Sequence, residues 1–121
     1  MTEVTRATKV YVRGSDDLLE SAVARTLAQS LGDTADVRIG EPDPAAGRGV
    51  FVTTDSTATR RDVRRLANDG QEVVVLAAFP NDAEEDEYRK AGARAYLPMV
   101  ATVAPLVAAV AALVAFLAET L

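Results

Sequence analysis

The chemistry open to this chain is that of carboxylates, hydroxyls, arginine and lysine, because it contains neither histidine nor cysteine. The commonest general base and the commonest zinc ligand are missing, and with them every Ser-His-Asp, Cys-His and HExxH arrangement. A thiol nucleophile, a disulfide and a thiolate metal site are excluded as well. Asp16, Asp17 and Asp55 read as helix-capping and turn carboxylates. Arg60, Arg61, Arg64 and Arg65 crowd one short stretch, but no Gly-rich phosphate loop accompanies them and the net charge is -5. They read as a solvated face, ion-paired to the acidic run Glu84, Glu85, Asp86 and Glu87, and direct contact with nucleic acid is not expected. With no cofactor fingerprint, nucleophile motif or metal-ligand spacing, the chain reads as a non-enzyme that holds neither cofactor nor metal.

The elements that must position these residues alternate in type. Lys9 to Arg13 reads as a strand, and Ser15 and Asp16 offer N-caps to a helix that Gly32 stops, with Leu19, Ala22, Val23 and Leu27 on its apolar face. Ala35 to Ile39 is a second strand. The nine residues EPDPAAGRG that follow hold two prolines and two glycines and read as loop. Val50 to Thr54 is a third strand, almost continuously apolar as a strand covered on both faces should be. The segment from Ser56 to Gly70 reads as helix, Glu72 to Ala78 as the clearest strand, and Asn81 with Glu84 as a capping box for a helix ending at Gly92. That helix offers Glu85/Arg89 and Asp86/Lys90 pairs one turn apart. Ala93 to Leu97 and an apolar last helix complete the pattern.

Strands alternating with helices predict one α/β domain over residues 1–121, with a parallel sheet and right-handed crossovers. Nine extended residues span about 30 Å at about 3.3 Å each, enough to cross a strand without a helix. The second helix is therefore expected to be one turn long or missing.

The segment AGARAYLPM followed by a helix resembles the end of a response-regulator receiver domain, and Leu106, Val107, Ala109 and Val110 are similar to the receivers of LuxR-type transcription factors. The resemblance covers nearly the whole chain, most strongly from Glu72 to Val110. It implies a flavodoxin-like five-stranded sheet, order 2-1-3-4-5, with the site at the carboxyl ends of the strands. A working receiver needs an acidic pair after the first strand, an aspartate ending the third, a hydroxyl ending the fourth and a lysine ending the fifth. These groups bind a metal and neutralise a phosphoryl group. Here Gly14 and Ser15 stand at the acidic pair, Ala77 at the hydroxyl and Met99 at the lysine. Thr54 takes the acceptor place with Asp55 one residue beyond, a register open by one. Tyr96, three residues before Met99, holds the place of the family's switch aromatic.

The run from Val100 to Ala118 carries no charge and is long enough to span a membrane. Alanine dominates it, Pro105 interrupts it and no lysine or arginine flanks it, so it reads as a buried helix. With no signal-peptide core in Met1 to Val10, a cytoplasmic protein without membrane association is expected. Val103, Leu106, Val107, Val110, Leu113, Val114, Leu117 and Leu121 form one stripe, wide enough to cover a sheet. The other face is Ala104, Ala108, Ala111 and Ala115, with Phe116 beside it. This charge-free surface is one a second copy can approach closely, and it predicts a homodimer. The resulting reading is a degenerate receiver that dimerises without phosphorylation and controls a DNA-binding domain or partner protein, which in a longer chain would follow Leu121. A ligand-sensing pocket around Gly14, Ser15, Thr54, Ala77 and Met99, or residual phosphorylation of Asp55, are the alternatives.

Overall fold

The computed structural model describes residues 7–43, 45, 47–99 and 103–119. Five strands, β1 (Thr8–Arg13), β2 (Ala35–Ile39), β3 (Gly49–Thr54), β4 (Gln71–Ala77) and β5 (Ala93–Pro98), form one sheet in the order β2-β1-β3-β4-β5. Every neighbouring pair is parallel. Four helices connect or follow them: α1 (Asp17–Leu31), α2 (Arg60–Asn68), α3 (Asp82–Ala91) and α4 (Val103–Glu119). A short 3-10 turn over Gly32–Thr34 leads from α1 into β2.

Side chains alternating along each strand divide the core into two layers. Val10, Val12, Val50, Val52, Val74 and Leu76 pack with Leu27 and Leu31 of α1 and with Val110, Leu113, Val114 and Leu117 of α4. Tyr11, Phe51, Val73, Val75, Ala77 and Tyr96 pack with α2 and α3. β3 is buried along its whole length, which explains its unbroken apolar reading.

Local signals set the boundaries. The Asp16 carboxylate accepts from the Leu19 N–H at 2.8 Å and starts α1. α2 begins later than Ser56, at Arg60, because Thr59 and Asp62 form a reciprocal capping box while Thr57 and Ala58 turn back onto the Thr54 carbonyl. Gly92 ends α3 at a φ of 120°, and a Cβ there would lie 2.7 Å from the Ala67 Cβ of α2. Only glycine accommodates both the backbone angle and the close approach of the two helices.

No α-helix occurs among the described residues between β2 and β3, where Ala45 is in 3-10 conformation, in keeping with a second helix of one turn or none. The apolar faces need two corrections. Ala22 is exposed, and the inward position on α1 belongs to Glu20, which lies seven residues from Leu27. Val103, 54 % exposed, projects from the first turn of α4 beyond the sheet, so the stripe begins at Leu106. Leu121 lies outside the described residues. No described helix is long and apolar enough to cross a membrane.

Candidate functional site

The carboxyl ends of the strands bring together residues far apart in sequence. Thr54 pairs with Leu76, and the Asp55 N–H donates to the Leu76 carbonyl at 3.0 Å, which sets Asp55 level with Ala77. Ala77 pairs with Pro98, and its carbonyl accepts from the Met99 N–H at 2.8 Å. The backbones of Asp55, Ala77 and Met99 are thus adjacent, but the side chains part: Asp55 opens on the α2/α3 side with Glu84 and Tyr88, Ala77 lies in that core layer, and Met99 packs against the α1/α4 layer. Thr54 is on the opposite side of the alternation, where its buried Oγ1 is engaged by Ser56 Oγ at 3.0 Å and Thr57 Oγ1 at 2.7 Å. A one-residue slip in a strand moves a side chain to the other face, so Thr54 and Asp55 look out on opposite faces of the sheet.

Gly14 and Ser15 follow the end of β1. The Gly14 N–H donates to Glu20 Oε2 at 3.0 Å, and Arg13 Nε lies 3.9 Å from the same oxygen. Glu20, buried on α1, is a residue that sequence reasoning passed over. Its seven-residue spacing from Leu27 was the available signal. Asp16 is spent on capping and Asp17 is exposed in the first turn of α1. Among the described residues no group of three carboxylates is placed to hold a metal ion.

The second cluster surrounds Tyr96. Its hydroxyl donates to Glu84 Oε1 at 2.8 Å and accepts from the Asn81 N–H at 3.3 Å. The expected capping box is thus half formed: Asn81 Oδ1 accepts from the Glu84 N–H at 2.8 Å, while the Glu84 carboxylate is given to Tyr96. Desolvation raises the Glu84 carboxyl above its ordinary pKa, the neighbouring Asp55 carboxyl adds to this, and the Tyr96 bond opposes it. Burial, then the Glu84 bond, pushes the Tyr96 phenol up to about 12. Tyr88, whose ring centre lies 6.1 Å from that of Tyr96, is raised chiefly by burial and donates to the Ala58 carbonyl at 2.8 Å. A cleft of about 440 Å³ opens beside this cluster, with Asp55, Arg60, Glu84 and Tyr88 in its wall. Arg60 is ion-paired with Glu87 across α2 and α3.

The remaining charges follow the predicted solvated faces. Arg65 lies 3.8 Å from Glu41, and Arg89–Glu85 and Lys90–Asp86 form pairs at 2.8 and 2.9 Å along α3. On α4, Ala104, Ala108 and Ala115 are exposed, whereas Ala111 is half-buried against the core. Ala111 is displaced from the open face because it follows Val110 and precedes Leu113 on the core side of the helix. Phe116 is 39 % exposed, with the Arg94 guanidinium 5.5 Å from its ring centre.

An apolar cleft of about 150 Å³ between α1 and the start of α4 includes Met99 in its lining, and a third, of about 340 Å³, includes Thr53 and Thr57. None of these three clefts is lined by Gly14, Ser15, Thr54 or Ala77.

Sheet order, helix placement and a cluster at the strand ends define the fold of response-regulator receiver domains, and solved receivers, including a LuxR-family DNA-binding regulator, superpose on most of the chain. A response regulator from Thermotoga maritima has a TM-score of 0.71 at 16% identity, covering 91% of this chain and 99% of its own. An atypical orphan response regulator, described as working by a phosphorylation-independent mechanism, has a TM-score of 0.69 at 20% identity, with 90% and 97% covered. A pilus assembly-related protein from Burkholderia pseudomallei has a TM-score of 0.72 at 13% identity, with 94% and 96% covered. No protein-family model matches the chain, and no curated protein matches it.

Proposed function

We propose that this chain is a receiver-type interaction module that works without phosphorylation, pairs with a second copy through α4, and passes its state to a transcription-regulating partner in the cytoplasm. The observation that carries the reading is the company Asp55 keeps. Level with it stands the methyl group of Ala77, Met99 follows the adjacent strand, and the Asp55 carboxyl helps to raise the pKa of the nearby Glu84 carboxyl. A phosphoryl group on Asp55 would bring further negative charge toward Glu84, with no lysine at Met99 and no hydroxyl at Ala77 to receive its oxygens. The likeness to an atypical orphan regulator is consistent with this reading. Arg60, the cation in the Asp55 cleft, is already paired. The chain on this reading catalyses nothing itself.

The second reading, phosphorylation of Asp55, is favoured by the register that sets Asp55 level with Ala77. One pair of measurements separates the two. Sedimentation of the isolated chain is expected to show a dimer at high micromolar concentration, unchanged by Mg²⁺ with beryllofluoride. A monomer would overturn the pairing, and a stoichiometric adduct abolished by Asp55→Asn would overturn phosphorylation independence.

A further inference from the structure

The connection from β2 to β3 forms no α-helix among the described residues, and a cleft of about 340 Å³ lies between β1, β3, α2 and that connection. Its floor is apolar, with Phe51 and Leu66 each less than 5 % exposed. Its walls carry two guanidinium groups, Arg13 and Arg65, and two hydroxyls, Thr53 and Thr57. Arg13 pairs in register with Thr53, so alternation puts both on the same face of the sheet as Phe51.

We infer that this cleft binds a small organic oxyanion, a carboxylate or phosphate ester with an apolar body, held by Arg13 and Arg65. Both guanidiniums have vacant hydrogen-bonding capacity. Arg13 Nε is 3.9 Å from Glu20 and Arg65 Nη2 is 3.8 Å from Glu41, separations that make ion pairs but not hydrogen bonds. A guanidinium presents five donors in a planar fork suited to a two-oxygen anion. Thr53 supplies the independent sign of a ligand. It is 1 % exposed, and its Oγ1 has no hydrogen-bond partner, a costly condition for a buried hydroxyl that a bound acceptor would relieve.

Asp62 and Glu41 also line the cleft. Asp62 holds the Thr59 N–H and hydroxyl through Oδ2 at 2.9 and 3.1 Å, and its charge also lies close enough to Arg65 to be stabilised by it, so it is one competitor for that guanidinium. Glu41, exposed on the loop, is the other carboxylate beside Arg65. An incoming anion competes with Glu41 for that guanidinium. The apolar floor then distinguishes an organic anion from an inorganic one.

The test is a titration of the full chain with benzoate, phenyl phosphate and inorganic phosphate, read by backbone amide shifts at Arg13, Thr53, Thr57 and Leu66. At least one organic probe is expected to give saturable shifts at these amides, with inorganic phosphate weaker. Whichever organic probe binds more tightly identifies the head group. Arg13→Gln and Arg65→Gln are each expected to weaken binding about tenfold or more, the loss of one charge-assisted contact. Glu41→Gln is expected to tighten it by removing one competitor. Thr53→Val gives a split readout: the free protein becomes more stable because an unsatisfied hydroxyl is gone, while affinity for the probe falls. Absence of saturable shifts, or saturable shifts that persist unchanged in both arginine variants, overturns the assignment. A Thr53→Val variant that gains stability and keeps full affinity removes Thr53 from the site and overturns its part in it.

Discussion

Tyr96 shows what single residues could and could not disclose. Its spacing from Met99 marked it as the aromatic of the fifth strand, and the structure buries it at 7 % exposure. Its partner was hidden, because Glu84 looked like the far half of a capping box until the fold brought β5 against the start of α3. Glu20 was missed for a related reason: a carboxylate on an inward helix face is legible as functional only when its partner, here the Gly14 N–H, is known. The Thr54/Asp55 ambiguity needed strand pairing, since sequence alternation cannot say where a strand end lies against its neighbour. Removing the Tyr96 hydroxyl tests the cluster. Tyr96→Phe is expected to cost about 1.5–3 kcal/mol by denaturant unfolding, the range for a hydrogen bond to a charged group. It should also delete the latest component of the phenolate absorbance titration, the one near 12. Glu84 adds a pH signature. Its raised carboxyl makes a contribution to stability that is fully present below the ordinary glutamate value and lost as pH rises through the raised one. Glu84→Gln should therefore flatten that part of the stability profile, and an unchanged slope would remove Glu84 from the cluster's electrostatics.

At the scale of elements, the sequence was read most reliably where local chemistry decides. The lack of an α-helix between β2 and β3 and the stop at Gly92 follow from patterns confined to a few residues, whereas the parallel sheet rested on alternation along the whole chain and its order on the resemblance to receivers. The start of α2 was placed too early because Ser56, Thr57 and Thr59 are all competent caps, and only the Asp62 partnership selects the last of them. Inward faces were less legible on α1 and α4, whose alanines are compatible with either side. The α2 cap carries its own prediction. Asp62 sits below its ordinary pKa chiefly because the Thr59 backbone N–H holds its carboxylate, so this stabilisation is present above the usual aspartate value and disappears as pH falls through the depressed one. Thr59→Ala and Asp62→Asn should each cost about 1 kcal/mol at neutral pH. For Asp62→Asn the difference from the parent should vanish in acid, measured by chemical unfolding across the range. A difference that persists there would show that the cap acts through packing and not through the carboxylate.

Among the described residues, two surfaces that a second copy could use differ in physical character. One is the pair of charged ridges on α2 and α3, where Arg60–Glu87, Arg89–Glu85 and Lys90–Asp86 already satisfy one another within the chain. Exposed pairs of this kind contribute little and are screened by salt. The other is the outer side of α4, where Ala104, Ala108 and Ala115 stand exposed beside Phe116, and where Glu119 is the single charge among the described helix residues. Pairing through the alanine face would remove apolar surface from water without parting any existing ion pair, which is the physical ground for the proposed α4 contact. The two alternatives respond oppositely to ionic strength. A dimer held by α4 is expected to keep or gain affinity as salt rises, whereas one held by the α2 and α3 ridges loses it. Ala108→Glu places a charge in the middle of the alanine face, on the side of α4 away from Val110, Leu113, Val114 and Leu117. Because glutamate is nearly as good a helix former as its neighbours, the fold should survive with its unfolding midpoint close to that of the parent. Sedimentation of this variant should show a monomer at concentrations where the parent is dimeric. A dimer that persists in Ala108→Glu and dissociates in salt would move the contact to the charged ridges.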